Sequence, residues 1–315
     1  MKASQIHCFF DCLSYIVDAD PYLDSRPVYI GVWDSPFGIT DEGILYYGTG
    51  IRINQLAAYF TTMYGSHLEN WIDYDQSRED NWLLFKQQII GESEYLIIMV
   101  DLYNLPNSLQ YQKKHLPHLV IVQRRTEDGW YLIDPYFGWE GEVAEEHLEK
   151  SFGCANLLMG ITIDANVLSQ PSVESVSAQF IRSFNPNRSK MVSEVHRFID
   201  RLENTQAESA WKHLHYKLEN LAIISKRLRG YSQLFTFFSL EQGQNMDELR
   251  AVDKLVMMWD QFLVAVFRIG LLGKNGDIAA LKSKLTSIKQ HELTIKKKLL
   301  DAFEEWRAKN ECFIE

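Results

Sequence analysis

The stretch HLPHLVIVQRRTEDGWYLIDP, residues 115–135, carries the strongest fold signal in the chain. Two apolar runs rich in β-branched and aromatic residues flank the polar segment RRTEDG, which predicts an antiparallel hairpin over 118–134. Pro135 closes the second strand, because proline cannot donate to a ladder. The outer ends of the two strands meet in such a hairpin, so we expect His118 and Asp134 to lie side by side.

A cysteine near the N-terminus completes a possible reactive set. The apolar stretch HCFFDCLSYIV, residues 7–17, predicts a helix near 8–18 that begins at Cys8. The start of a helix favours a thiolate, because the helix dipole and unpaired backbone amides stabilise negative charge there. Cys12 lies inside the helix, where this effect is weaker. Cys8, His118 and Asp134 therefore suit a nucleophile, a base and an orienting carboxylate.

Each of these residues also has a purely structural interpretation. Cys8 and Cys12, one turn apart, fit small core residues on an apolar helix face. His118 fits a strand-end histidine bonded to a backbone carbonyl, and Asp134-Pro135 fits an ordinary turn. The combination of all three favours catalysis over these separate interpretations.

Composition narrows the class of protein. Of 315 residues, 46% are hydrophobic and 23% are charged, which is typical of a folded protein. The net charge of −10 argues against a nucleic-acid partner and suits a cationic small molecule. The N-terminus does not resemble a secretory signal, and the longest apolar runs contain charges, so we expect a cytoplasmic protein without a membrane span. Four scattered cysteines and the absence of CxxC spacing argue against a disulfide framework or a zinc site.

The pattern of apolar residues changes once along the chain, near 165–185. Before that point we predict aromatic strands around 28–33 and 44–48, a helix near 52–64, a strand at 95–101 and the 118–134 hairpin. After about 188, apolar residues recur every three or four positions, which predicts a bundle of four or five helices. We therefore expect an α+β domain over 1–170 with an antiparallel sheet, followed by an all-α helical bundle over 171–315.

Three segments resemble a known family: HCFFDCL at 7–13, VDLYNLPNSLQYQKKHLPHLVIV at 100–122 and the IDP strand end at 133–135. They are similar to the butirosin-biosynthesis acyltransferase type of N-terminal domain, a relative of papain-like cysteine peptidases that process bacteriocin leaders. The HCFFDCL start and the helical second half resemble more closely the acyltransferases of petrobactin siderophore biosynthesis. The resemblance spans about 165 residues and implies a papain-like first domain.

The resemblance also implies an activity. Its members move an acyl group from a carrier-protein phosphopantetheine thioester to an amine; for the petrobactin type, the acyl group is 3,4-dihydroxybenzoyl and the amine belongs to spermidine or a citrate-linked spermidine. By this resemblance Cys8 is the nucleophile, His118 the base and Asp134 the orienting acid. The peptidase relatives carry an oxyanion glutamine upstream of the cysteine. Gln5 lies three residues before Cys8, closer than in their pattern, and the backbone amide of Cys8 is the alternative oxyanion donor. No cofactor beyond the carrier's own pantetheine, and no metal, is expected.

Further residues are candidates for substrate contacts. Carboxylates could hold polyamine ammonium groups, and among Asp34, Asp41, Glu42 and Asp101 we favour Asp101 because it ends the apolar strand at 95–101. The aromatics Tyr103, Tyr136, Phe137 and Trp139 could shield the acyl ring. Basic segments KRLR at 226–229 and KKK at 296–298 could dock an acidic carrier protein. The long apolar helices could form a homodimer interface or cap the active site.

Two other functions use the same residues. A cysteine peptidase would need only the triad, although the large helical half and the LPNSLQYQKKHLPH segment favour the acyltransferase. A non-catalytic binding protein would keep the fold without the chemistry, although the presence of all three side chains argues against it.

Overall fold

The computed structural model describes residues 3–41, 43–46, 53–88, 91, 93–154, 157–204, 211–239, 245–272 and 278–311. The chain forms two compact units, and the N-terminal half contributes to both. The first unit comprises Met1–Val28 and Arg52–Ser175, and the second comprises Tyr29–Ile51 and Val176–Glu315.

The first unit is built on a six-stranded antiparallel sheet with the order β3-β8-β4-β5-β6-β7. Its strands are β3 (Glu69–Asn70), β4 (Glu94–Asp101), β5 (Pro117–Arg125), β6 (Gly129–Asp134), β7 (Trp139–Ala144) and β8 (Gly160–Asp164). The central strand β4 is buried from Leu96 to Asp101, as expected for an almost continuous apolar run covered on both faces. The strand predicted at 95–101 is thus confirmed.

The hairpin predicted over 118–134 is also confirmed. Strands β5 and β6 pair antiparallel, with Ile121 opposite Ile133, and the register shifts between Val122 and Arg124. Strand β5 pairs on its other side with β4, where His118 lies opposite Val100. His118 is therefore the second residue of β5 and Asp134 the last of β6, which brings them to the same end of the sheet.

The helices of the first unit pack around this sheet: α1 (Cys8–Val17), α2 (Ile53–Tyr64), α3 (Arg78–Gln87) and α4 (Glu145–Ser151). An aromatic core joins α3 to the sheet, since Trp82 and Phe85 of α3 cluster with Trp130 of β6 and with Phe152. The helix predicted near 8–18 is confirmed by α1, and contacts between α1 and β5 bring the start of the chain to the hairpin.

In the second unit, helices make up all regular structure described between 176 and 311. After α5 (Val173–Ser183), which spans the division between the units, the α-helices are α6 (Lys190–Asn204), α7 (Leu214–Leu218), α8 (Leu221–Ile224), α9 (Gly230–Phe238), α10 (Met246–Leu272) and α11 (Ile278–Glu311). A 3₁₀ helix at Ser225–Arg229 lies between α8 and α9. The hairpin of β1 (Gly38–Thr40) and β2 (Gly43–Leu45) also belongs to this unit.

The aromatic strand predicted around 28–33 is wrong. The chain instead makes two short 3₁₀ turns, at Arg26–Tyr29 and Val32–Asp34. Gly31 between them has φ 85°, a left-handed conformation that interrupts an extended chain. The strand predicted around 44–48 is present only as β2, and residues 47–48 lie outside the described ranges.

A buried arginine holds this segment of the second unit. Arg227 is 1% exposed, and its guanidinium donates to the carbonyl oxygens of Ser35 and Pro36, each at 3.2 Å, and of Tyr46 at 2.9 Å. Three backbone carbonyl oxygens outside any β-ladder thus accept hydrogen bonds from one buried cation. These bonds compensate for the cost of burying the carbonyl groups and the charge.

Candidate active site

Cys8 is the first residue of α1 and is 2% exposed. The preceding residue, His7, caps the helix: its Nδ1 accepts a hydrogen bond from the Phe9 amide at 3.2 Å. The position predicted from sequence, a thiol at a helix N-terminus, is therefore observed. Helix dipole and backbone amides favour a negative sulfur at this place.

The structure brings His118 and Asp134 together. His118 Nε2 lies 3.0 Å from Asp134 Oδ2, and both residues are 4% exposed. The other carboxylate oxygen, Oδ1, accepts from the Phe137 amide at 3.1 Å, so the turn after β6 fixes the orientation of the carboxylate. Because Nε2 faces Asp134, Nδ1 is the ring nitrogen left for another partner.

Cys8 is hydrogen-bonded to the same imidazole, and the three side chains share one electrostatic environment. Burial, the largest single effect, lowers the pKa of His118. The Asp134 carboxylate and the hydrogen bonds to Asp134 and Cys8 outweigh it and raise that pKa to about 10. The imidazole is therefore protonated at neutral pH. It can donate a proton to a leaving group and stabilise an anionic sulfur.

Cys12 lacks these properties. It is fully buried, and burial, followed by the charges of Cys8, Asp134 and Asp11, raises the pKa of its thiol. The thiol donates to the Leu119 carbonyl oxygen at 3.6 Å, which links α1 to β5 beside His118. A neutral, hydrogen-bonded thiol is a poor nucleophile. The raised pKa of Cys12 argues against that thiol as the nucleophile, and the role of Cys8 stays a prediction.

Two of the predicted aromatics contact the imidazole. The ring of Tyr136, 4% exposed, lies 5.5 Å from that of His118 at an interplanar angle of 73°. The Phe137 ring lies 5.2 Å from it and is 38% exposed. Trp139 instead packs against the aromatic core of the first unit. Tyr136 and Phe137 are therefore the aromatics that could exclude water from His118.

Asp101 belongs to a second polar cluster. Its Oδ1 accepts from the amides of Tyr103 at 3.0 Å and Leu116 at 3.1 Å, and its Oδ2 is hydrogen-bonded to His115 Nδ1. The Tyr103 ring stacks on His115 at 4.1 Å. Burial, followed by the charge and hydrogen bond of Asp101, raises the pKa of Cys154 to about 12. Asp101 thus holds both ends of the loop between β4 and β5, and substrate contacts by Asp101 and Tyr103 stay predictions.

Two features close to Cys8 were not predicted from the sequence: the contacts of Asp11 and the backbone conformation of Gln5. Gln5 has φ 54°, an uncommon value for a residue other than glycine, and its role as an oxyanion donor stays a prediction. Asp11, which is 1% exposed, accepts hydrogen bonds from the amides of Ile6 and His7. An acidic residue in the first turn of a predicted helix was the available signal, because such residues pair with amides at helix starts.

Two known domain families together match most of the chain. The DUF6005 N-terminal domain matches residues 3–168, which include Cys8, His118 and Asp134, and the DUF6005 C-terminal domain matches residues 174–313. The chain belongs to the DUF6005 family. It is also 25% identical, over 98% of its length and 97% of the relative's, to a protein of Bacillus anthracis named petrobactin synthase.

In this DUF6005 protein, part of each predicted basic docking segment is buried. Arg227 of KRLR binds backbone carbonyls, as described above. Lys296 of KKK is fully buried, with its ammonium 2.6 Å from the Arg188 carbonyl oxygen and 3.5 Å from Asp34 Oδ2. Asp34 is thereby paired within the second unit, and Glu42 lies outside the described residues. Docking of a carrier protein at these segments would have to use their remaining cations.

The described part of this DUF6005 chain contains neither a membrane-spanning helix nor a candidate metal site. None of its helices combines the length and apolar character needed to cross a bilayer. Within the same ranges, no three side chains of the histidine, cysteine, aspartate and glutamate types come together in a way that could hold a metal ion.

Proposed function

We propose that this protein is an acyltransferase of siderophore biosynthesis that forms an amide through a Cys8 acyl-enzyme. The acyl donor is a carrier-protein phosphopantetheine thioester, with 3,4-dihydroxybenzoyl as the acyl group, and the acceptor is a primary amine of a spermidine-type polyamine. The relative named petrobactin synthase supports the pathway. The first unit is proposed to be a papain-like acyltransferase domain, with the helical residues 171–315 as the second domain.

One observation carries the proposal: His118 is hydrogen-bonded to both Cys8 and Asp134, and its pKa is raised to about 10. The reactive state in this proposal is a charged pair of the Cys8 sulfur and the His118 imidazolium, because an adjacent protonated base activates a cysteine nucleophile. All three residues are at most 4% exposed. Restricted water access favours transfer to an amine over hydrolysis of the acyl-enzyme.

The proposed reaction has two steps. The Cys8 sulfur attacks the thioester carbonyl carbon, the bond to the pantetheine sulfur breaks, and His118 gives its proton to that leaving thiolate. The primary amine then attacks the acyl-enzyme, the bond to Cys8 breaks, and His118 takes the proton released by the amine. Amide forms and the charged pair is restored. Asp134 keeps the imidazole oriented and stabilises its positive charge in both steps.

The test is intact mass spectrometry after incubation with a carrier protein loaded with 3,4-dihydroxybenzoyl. We expect an adduct of the acyl mass on the wild type that disappears when spermidine is added, together with formation of the amide. The variant Cys8→Ala should form neither, whereas the matched control Cys12→Ala, one turn along α1, should form both.

Other outcomes would redirect the proposal. An adduct that disappears at the same rate without spermidine would indicate a hydrolase, as expected for the peptidase alternative. Amide formation by Cys8→Ala at the wild-type rate would exclude Cys8 as the nucleophile and leave direct transfer between the two substrates.

A further inference from the structure

The two residues before Cys8 are held by a buried carboxylate of the helix that Cys8 begins. Asp11 lies in the first turn of α1 and is 1% exposed. One oxygen, Oδ2, accepts from the Ile6 amide at 3.1 Å and from the His7 amide at 3.2 Å. A single side-chain oxygen therefore satisfies two buried backbone amides.

The same short segment is fixed at two further places. Before it, the Ser4 amide donates to the carbonyl oxygen of Pro135 at 3.3 Å, so it is tied to the residue after Asp134. After it, His7 Nδ1 caps the Phe9 amide. Between them, Gln5 is held at φ 54°. A non-glycine residue in this region costs free energy and persists only where its surroundings enforce it.

We propose that Asp11 is a positioning residue for the Cys8 sulfur. It acts through the Ile6 and His7 amides, which set the direction in which the chain enters Cys8. Both amides donate to Asp11, so the hydrogen bonds that stabilise the acyl oxyanion must come from other donors. The inference rests on the proposed function, because it concerns the acylation step at Cys8.

The contacts suggest three informative variants. In Asp11→Ala both amides lose their acceptor. In Asp11→Asn a carbonyl oxygen can replace Oδ2, since one oxygen accepts both bonds. In Asp11→Glu the carboxylate is kept but is displaced by one methylene. The control is Asp18→Ala at the other end of α1, because Asp18 is also a hydrogen-bonded carboxylate, with Ser25 as its partner.

The measurement is the single-turnover rate of Cys8 acylation by the loaded carrier protein, with its dependence on carrier concentration. We expect Asp11→Ala to lower the saturating rate about 100-fold, the effect of a misplacement of about 1 Å. The carrier concentration at half-maximal rate should change by less than about threefold. Asp11→Glu should be at least about tenfold slower, whereas Asp11→Asn and Asp18→Ala should stay within about threefold of the wild type.

A purely structural role gives a different pattern. If Asp11→Ala and Asp11→Glu lower the unfolding temperature but acylate at the wild-type rate, the proposal is overturned. It is also overturned if Asp11→Asn is as slow as Asp11→Ala, because charge rather than position would then be decisive. Should Asp11→Ala not fold, the contrast between Asp11→Asn and Asp11→Glu still decides.

A second readout separates this inference from the proposed function. The rate of Cys8 alkylation by iodoacetamide, followed by peptide mapping, needs no natural substrate. We expect the alkylation rates to rank the variants in the same order as the acylation rates, with Asp11→Ala slower than Asp11→Asn. If the alkylation rates follow this order but the carrier protein acylates no variant and not the wild type, the proposed function is rejected and the role of Asp11 is kept. If the carrier protein acylates the wild type but Cys8 is alkylated at the same rate in all variants, only the role of Asp11 is rejected.

Discussion

Removal of the Asp134 charge should change the protonation of His118 more than any other substitution in the first unit. Asp134→Asn keeps the side-chain shape, and its Oδ1 can still accept from the Phe137 amide. The pKa of His118 is about 10 in the protein, and Asp134 is the main cause of the increase. Loss of an opposite charge at this distance lowers a pKa by about 1 to 3 pH units.

At a loss of about 2 units, the protonated fraction of His118 at pH 9 should fall from about 90% to about 10%. The assay is an NMR titration of protein with ¹⁵N-labelled histidine, in which the ring nitrogens report protonation directly. The control is Asp101→Asn, which removes a buried carboxylate paired with a different histidine, His115. A wild-type midpoint near 6.5, or an equal midpoint in Asp134→Asn, would refute the assignment of the effect to Asp134.

The same pKa makes stability depend on pH. The difference between 6.5 and about 10 corresponds to about 5 kcal/mol, at about 1.4 kcal/mol for each pH unit. Because the folded-state pKa is raised, this contribution is fully present below pH 6.5 and is lost as pH rises through 10. Hydrogen exchange of β5 and β6 amides should show the gap between wild type and Asp134→Asn largest near pH 6 and smaller at pH 10.

Three further outcomes are expected. Cys12→Ser should form the acyl adduct at a rate within about threefold of the wild type in intact mass spectrometry, because a neutral thiol there takes no part in attack. Asp101→Ala should increase hydrogen exchange at the Tyr103 and Leu116 amides and lower the unfolding temperature, because both amides lose their acceptor. Arg227→Ala should lower the free energy of unfolding of the second unit by about 3 kcal/mol in urea, since buried carbonyls lose their donor, whereas the control Arg229→Ala should change it by less than about 1 kcal/mol.

Local sequence patterns predicted the elements that carry the site. The β5–β6 hairpin has its own signals in apolar runs, a polar turn and a closing proline, so its two ends could be located together. The start of α1 was equally clear from HCFFDCL. Pairing of His118 with Asp134 follows from the hairpin alone, whereas the approach of Cys8 depends on how α1 packs on β5, and the pattern alone left that contact open.

Tertiary interactions explain what the sequence did not reveal. Residues 28–33 are aromatic and β-branched, as in a strand, but Gly31 and the partners of the second unit impose turns instead. Lys296 and Arg227 belong to the basic segments predicted as a docking surface, because long charged side chains are usually exposed. Buried carbonyl and carboxylate oxygens bind them instead. The sequence likewise gives no sign that loop amides and His115 bind the Asp101 oxygens, and contact of Asp101 with an ammonium group stays a prediction.

The pKa of His118 bears on the choice between an amine and water as acceptor. Proton transfer is most effective when the two groups have similar pKa values, and a primary ammonium of the lysine type titrates near 10.4. Because the Asp134 carboxylate raises the pKa of His118, the imidazole is closer in proton affinity to such an amine than an ordinary histidine is. The same imidazole at pH 7 is almost entirely protonated, so it is a scarce base for activating water, a much weaker acid. In the proposed reaction it becomes a base only after it has given its proton to the departing pantetheine thiolate. By this argument Asp134 does more than orient the ring: by raising the pKa of His118 it favours aminolysis, and Asp134→Asn should increase the share of hydrolysed product relative to amide.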